Sequence, residues 1–259
     1  MKILFLGTGA ADWAVKPESE MGENERRFSS LLLDDKILVD VAPQSYDFAV
    51  KMGVDMSKIT DLIISHTHGD HYSKKALLNF RSKTDHNIWI WCHSGAVSKL
   101  DFTDEEAKLF DIHPLDVMGK YDVGEYKLTA LAANHIVVGS PEQPLQYIIE
   151  SDKKLFYGCD SGWFVANTWE YIMGQKFDAF ILDATVGDKD GDFRLGTHNS
   201  IPMLRLILAA IKENKMSHEN TLFVADHLAR TLHADLETTK KIFAEFGMIV
   251  ACDGDVIEF

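Results

Sequence analysis

Four side chains that bind metal ions well, His66, His68, Asp70 and His71, fall in one short run, Ser65-His66-Thr67-His68-Gly69-Asp70-His71-Tyr72. The run follows the apolar stretch Leu62-Ile63-Ile64, which reads as a buried strand. In extended backbone, residues two apart point the same way, so His66 and His68 share one side. Gly69 is expected to let the chain turn. Asp70 and His71 lie beyond that turn, ahead of a helical pattern over residues 73–80. Imidazole nitrogen and carboxylate oxygen suit zinc, manganese or iron. Buried together without a cation, they would leave several polar groups to satisfy at once. A single histidine reads as an ordinary core or surface residue; this spacing reads as a metal site.

The elements that must position these groups follow in order. Residues 2–6 read as a first strand. Gly7-Thr8-Gly9 follows it without the third glycine or the helix that a dinucleotide-binding turn requires. Residues 13–27 are polar and read as a long surface loop, of the kind that often forms a functional lid. Residues 28–33 and 36–41 form a hairpin across Asp34-Asp35. Asp40 ends its second strand, either as a turn residue or as a partner that holds a metal histidine. Residues 44–52 read as a helix, 59–65 as the strand feeding the histidine run, and 87–92 as a strand whose Trp89 and Trp91 belong to the core. Thr103 and Glu106 have capping-box spacing.

A strand over 125–132 delivers Asn134-His135. Strands over 145–150 and 154–157 form a second hairpin, and the latter runs into Gly158-Cys159-Asp160-Ser161-Gly162. The strand over 177–182 ends at Asp183. Ser200 caps a helix through Ile211, with Pro202 in its first turn. The strand over 221–225 ends in Asp226-His227. Asp235 caps the last helix, Gly247 stops it, and short strands over 248–251 and 255–258 close the chain.

Donors therefore recur directly after strands, at His66, His135, Asp160 and His227, as they would along one sheet edge. Each has rivals. His113 competes with His135, and His218 and His233 compete with His227; Asp160 could simply cap the turn at Ser161-Gly162.

The pattern His66-x-His68-x-Asp70-His71 resembles the signature of the metallo-β-lactamase-fold hydrolases. The flavodiiron branch of that fold usually carries a glutamate where this chain has His68, so the resemblance implies hydrolysis over redox chemistry. Pattern alone gives α/β or α+β. The resemblance implies an αββα sandwich of two mixed β-sheets flanked by helices, in one hydrolase domain over residues 1–259. It places His66, His68 and His135 on a first metal, Asp70, His71 and His227 on a second, and Asp160 between both. Asp40 and Asp183 would hold ligands from behind. The implied cofactors are two divalent ions, Zn2+ or Mn2+, with iron also accepted by such donors. Two close cations lower the pKa of a shared water, which implies attack by a bridging hydroxide, with Asp70 able to orient it.

Gly7-Thr8-Gly9, Arg26-Arg27-Phe28-Ser29-Ser30, Asp160-Ser161-Gly162 and His198-Asn199 resemble the phosphodiesterase branch. That branch includes the cyclic phosphodiesterase of phosphonate degradation and the tRNA 3′-processing endonucleases. His198 is the expected further catalytic residue, donating a proton to a leaving alkoxide or binding a phosphate oxygen; helix N-terminal amides beside it favour an anion. Arg230 is read as a phosphate contact or as a solvated arginine, and Arg26 and Arg27 as structural. No cysteine precedes Cys92, so the structural zinc site of the phosphonate-pathway enzyme is expected to be absent. The expected substrate is a small phosphodiester, cyclic ones included. A carbonyl hydrolase of the same fold, acting on a lactone, thioester or β-lactam, is the first alternative. A non-catalytic metal-binding or interaction protein is the second.

Composition bounds these readings. The 259 residues are 46% hydrophobic and 25% charged, and suit a large core. A formal net charge of −14 disfavours an extended nucleic-acid partner held through a general basic face. The expected partner is a small molecule, a phosphate ester. Three cysteines without CxxC spacing suit a reducing cytoplasm, the opening apolar run ends too soon for a signal peptide, and no stretch is long enough to span a membrane.

Overall fold

Short aliphatic runs pair into strands, and the computed structural model describes all 259 residues, Met1–Phe259. The chain divides into two compact units, the first made of residues 1–116, 137–143 and 252–258, the second of 117–136, 144–251 and 259. The first unit carries β1 (Lys2–Gly7), β2 (Ser30–Leu33), β3 (Ile37–Val39), β4 (Asp61–Ile63), β5 (Ile88–His93) and β6 (Phe110–Leu115). The second carries β7 (Lys120–Val123), β8 (Tyr126–Ala132), β9 (Leu145–Glu150), β10 (Lys154–Gly158), β11 (Ala179–Asp183), β12 (Leu222–Asp226) and β13 (Ile249–Val250). β14 (Val256–Glu258) belongs to the first unit again.

Each unit is built on one mixed seven-stranded sheet, in the orders β14-β1-β2-β3-β4-β5-β6 and β13-β12-β11-β10-β9-β8-β7. In the first, β14, β1, β2 and β3 pair antiparallel, and β3 to β6 are parallel. In the second, β7 to β10 are antiparallel, and β10 to β13 are parallel. Parallel strands send their carboxyl ends to one edge, which is where loops can gather side chains from separate segments. β8 runs with β10, since both are antiparallel to β9, so His135 leaves its sheet at the same edge as Asp160.

Helices cover the apolar side of each sheet. In the first unit α1 (Ser45–Lys51) and α2 (Lys74–Arg81) bring Phe48, Ala76, Leu77 and Phe80 to a core with Leu62, Ile64 and Ile90, and α3 (Asp104–Ala107) begins with the expected capping box at Thr103. In the second, α4 (Ala166–Ile172), α5 (Ile201–Glu213) and α6 (Leu236–Ala244) pack on Phe156, Phe180 and Phe223. On α5, Ile201, Leu204, Ile207, Leu208 and Ile211 are buried, the spacing of one helical face. Burying each such side chain contributes about 1.5–3 kcal/mol.

Several local expectations change. β6, β7 and α4 are not legible as elements, because β6 carries Pro114 and β7 is polar; both are sheet edges, where such residues are tolerated. Gly69 is not needed for its turn: its φ is not positive and a Cβ there would meet nothing within 4 Å. Gly7 and Gly9 are needed for close approach. A Cβ on Gly7 would lie 2.0 Å from the Phe28 carbonyl oxygen, and one on Gly9 2.7 Å from the Trp13 ring. The Thr8 and Gly9 amides both donate to the Arg27 carbonyl, at 3.0 and 2.7 Å, so this turn is closed on the 26–29 segment rather than open to a phosphate.

Arg27 is structural as expected: it donates to Glu18 at 2.9 and 2.5 Å and to Asp253 at 3.0 Å, and its guanidinium lies 3.8 Å from the Phe48 ring centroid. Glu18 also accepts from Lys51 at 2.7 Å, so the 13–27 loop is pinned to its own unit at this point. Trp91 is buried, but Trp89 is 44% exposed and does not belong to the core.

Candidate metal centre

In the first unit the donors follow β4, and a buried aspartate after β3 organises them. Asp40 has φ +59°, a left-handed backbone that turns its carboxylate back along the sheet edge. It is fully buried and accepts from the Ser65 amide and hydroxyl, both at 2.7 Å, and from His71 Nδ1 at 2.8 Å. With Nδ1 committed, His71 offers Nε2, which lies 3.8 Å from Asp70 Oδ2. The Ser65 hydroxyl also lies 3.0 Å from His66 Nδ1, and His66 Nε2 lies 2.9 Å from His68 Nδ1. The His66 and His71 rings are 4.3 Å apart between centroids. Thr67, between the two histidines, is clamped by Glu142, whose carboxylate accepts from its amide at 3.1 Å and from its hydroxyl.

In the second unit three imidazoles surround one carboxylate. Asp160, after β10 and at φ +51°, is buried; its oxygens lie 3.5 Å from His135 Nε2, 2.9 Å from His198 Nδ1 and 3.9 Å from His227 Nε2. Burial alone would push the Asp160 carboxyl up, but His227, His198 and His135 outweigh it and hold the group well below the usual carboxylate range. Asp183, at the end of β11, accepts from the Thr185 amide at 2.9 Å, the Asn199 amide at 3.1 Å and His198 Nδ1 at 2.8 Å. The donor atoms of Asp160, Asp183, His198 and His227 lie within 4.8 Å of one another. Burial would lower the His198 pKa, but Asp183 and Asp160 overcome it and raise the imidazole to about 10 in the metal-free chain.

Thr185 is the residue the sequence reading missed here. Its hydroxyl lies 2.7 Å from His227 Nδ1, 3.0 Å from His198 Nδ1 and 3.0 Å from Asp183 Oδ2. A hydroxyl has one proton to give. Donated to Asp183, that proton leaves the Thr185 oxygen to accept from His227 Nδ1–H and turns His227 Nε2 into the free donor atom. Ser65 is its unrecognised counterpart beside Asp40. Both hydroxyls follow a strand end directly, a signal that the sequence carries in Ser65-His66 and Asp183-Ala184-Thr185.

The rival histidines have other work. His113 stacks on Trp89 and Trp91, with centroids 4.7 and 4.3 Å away. His233 Nε2 lies 2.7 Å from the Ala184 carbonyl, and His218 lies 3.2 Å from Asp178. Arg230 follows His227 on an exposed position. Buried imidazoles with one nitrogen fixed from behind, together with ionised carboxylates, fit divalent cations, since such fixing sets which nitrogen is offered. This donor set does not discriminate zinc from manganese.

The family follows from comparison. A family model described as the beta-lactamase superfamily domain matches residues 36–244, and the chain belongs to that superfamily, a metallo-β-lactamase-fold hydrolase by class. Its two mixed seven-stranded sheets with helices are those of the αββα fold. Among solved structures it is similar to the metallo-β-lactamase fold protein YhfI from Bacillus subtilis, at 18% identity and a TM-score of 0.74, covering 100% of this chain and 99% of that one. It is also similar to a diphosphatase from the PhnP family (17% identity, TM-score 0.73, 100% and 97% covered) and to the short form of human tRNase Z (18%, 0.69, 100% and 99%). The expected likeness to the phosphodiesterase branch is thus borne out. No curated protein matches the sequence. No helix is long and apolar enough to cross a membrane.

Proposed function

We propose that this chain is a binuclear metal-dependent phosphodiesterase, working as one hydrolase domain on small phosphodiesters, cyclic ones included. His66, His68 and His135 would hold one divalent ion, Asp70, His71 and His227 a second, and Asp160 would serve both. Zinc and manganese are the proposed ions. When bound, such a pair acidifies water and takes up charge on substrate oxygens.

The observation that carries the choice of phosphodiester is His198. Its Nδ1 is held by Asp183 at 2.8 Å, which leaves Nε2 as the proton-bearing atom to present to substrate. The Asp183 carboxylate favours the imidazolium, the form that gives a proton to a leaving alkoxide or grips a phosphate oxygen. A carbonyl hydrolase has no required part for such a group. Asp70, beside His71, would orient the attacking water, and Arg230 would add a phosphate contact from its exposed position. A tRNA-sized substrate is a second reading, favoured by the likeness to human tRNase Z and opposed by a net charge of −14. Three free cysteines favour the cytoplasm as the working compartment.

The test uses metal-depleted protein reloaded with zinc or manganese. Expected is metal-dependent hydrolysis of bis(p-nitrophenyl) phosphate and of a cyclic nucleotide. His198→Ala should reduce the second by about a hundredfold and the first much less, because p-nitrophenolate leaves without a proton. Turnover of a thioester or lactone but of no diester, with two ions bound, overturns the proposal. Cleavage of a precursor tRNA in preference to both small diesters would replace it with the second reading.

A further inference from the structure

The second unit contains a groove of about 640 Å3 that takes no part in the chemistry above. It is lined by side chains of β7, β8, β9 and β10 and by Tyr171 and Gln175 at the end of α4. Lys127 near the start of β8, Glu150 at the end of β9 and Lys154 at the start of β10 place it toward the strand ends opposite those that carry His135 and Asp160. Ile148, a buried core residue, contributes to its lining.

The polar groups of the groove do not balance. Lys127 pairs with Asp122, and Lys154 pairs with Glu150 at 3.0 Å and with the Gln175 amide oxygen at 3.3 Å. Lys120 has no carboxylate partner; its ammonium lies 5.5 Å from the Tyr171 ring centroid. Thr129 stands directly opposite Lys120 in the β7–β8 pairing and is only 9% exposed, yet its hydroxyl makes no hydrogen bond inside the protein. The Tyr171 hydroxyl makes none either. A nine-tenths buried hydroxyl without a partner is costly unless something supplies one. The spare groups are an ammonium and two hydroxyls, reaching in from two strands and a helix. What they lack is an acceptor-rich group with negative charge, set in a chain that is otherwise strongly acidic.

We propose that this groove is a second ligand site, which binds a small phosphorylated organic molecule through the Lys120 ammonium and the Thr129 and Tyr171 hydroxyls. Its volume lies in the range of small-molecule sites and exceeds what a bare phosphate fills. The Tyr171 ring and Ile148 give the organic part an apolar contact. The site is independent of the proposed hydrolysis and stands whether or not diesters are the substrates.

The test is a heteronuclear NMR titration of the zinc-loaded full chain with phenyl phosphate and, separately, with inorganic phosphate. Expected are saturable shifts at Lys120, Thr129 and Tyr171, with phenyl phosphate the tighter probe. Lys120→Glu lies on an exposed edge strand and does not threaten folding; Thr129→Val keeps the side-chain shape. Each should weaken phenyl phosphate binding by about tenfold while metal content and hydrolytic turnover stay unchanged. Shifts confined to the 66–71 loop and His227, wild-type affinity in Lys120→Glu, or no saturation at millimolar probe would each overturn the site. Equal affinity for the two probes would overturn its assignment to an organic ligand.

Discussion

In the first unit Asp40 accepts from the Ser65 amide, the Ser65 hydroxyl and His71; in the second, Asp183 accepts from the Thr185 amide, the Thr185 hydroxyl, the Asn199 amide and His198. Both units use the same device. A buried aspartate at the end of a parallel strand holds one imidazole directly, and a neighbouring hydroxyl carries the hold to a second, His66 in one unit and His227 in the other. The two differ in how the parts are supplied. In the first, every part but Asp40 lies in the loop after β4. In the second, they come from the ends of β11 and β12 and the loop before α5, so strand pairing must be correct before the cluster exists. The contiguous cluster depends on local backbone; the dispersed one depends on register.

That comparison can be broken by mutation. Removing a buried acceptor from charged and amide donors costs about 3–5 kcal/mol. Asp183→Ala is expected toward the top of this range and Asp40→Ala toward the bottom, since Asp183 serves one more donor group. Urea unfolding of the metal-free variants measures this, and a reversed order would deny that the devices are equivalent. Next in size are the hydroxyl relays. Thr185→Val and Ser65→Ala should each weaken metal binding by about 10–100-fold, with Thr185→Ser restoring it. Metal content after competition with a chelator reads the effect without reference to activity.

The pH dependence of the metal-free chain sharpens the second half of the comparison. The His198 pKa is raised, to about 10, so its paired cation stabilises the fold fully below the unfolded value of about 6.5. That stability is lost as pH rises from there through about 10. Unfolding midpoints should fall across this window, and His198→Gln should flatten the fall. The smallest expected effect belongs to His113→Leu, which removes an aromatic stack worth about 1 kcal/mol and leaves metal content unchanged. A loss of metal in that variant would return His113 to the candidate ligands.

Much of the first cluster was legible because its residues share one turn: His66, His68, Asp70 and His71 are near each other whatever the sheet does. Asp40 could be suspected from its place after a strand, but its positive φ and its bond to His71 belong to the folded chain. The second cluster was legible only as a set of strand ends. Which of His113, His135, His218, His227 and His233 come together around Asp160 depends on the directions of β8, β10 and β12, and periodicity in a single segment carries no such information. Thr185 went unread because a threonine after a strand has many ordinary explanations. The short glycine turn at Gly7-Thr8-Gly9 looked like chemistry and is packing.

By itself the sequence determined the kind of donors, the strands that present them and an acidic chain with enough aliphatic residues to bury two sheets. These are local or compositional properties, carried by neighbouring residues and by sums over the chain. The tertiary structure decided which imidazole nitrogen each carboxylate and hydroxyl holds, that His113 serves an aromatic stack and His198 an aspartate, and that Lys120 and Thr129 face each other without a partner. Those are contacts between residues distant in the chain, and only strand order and register bring such residues within the few ångströms over which hydrogen bonds act.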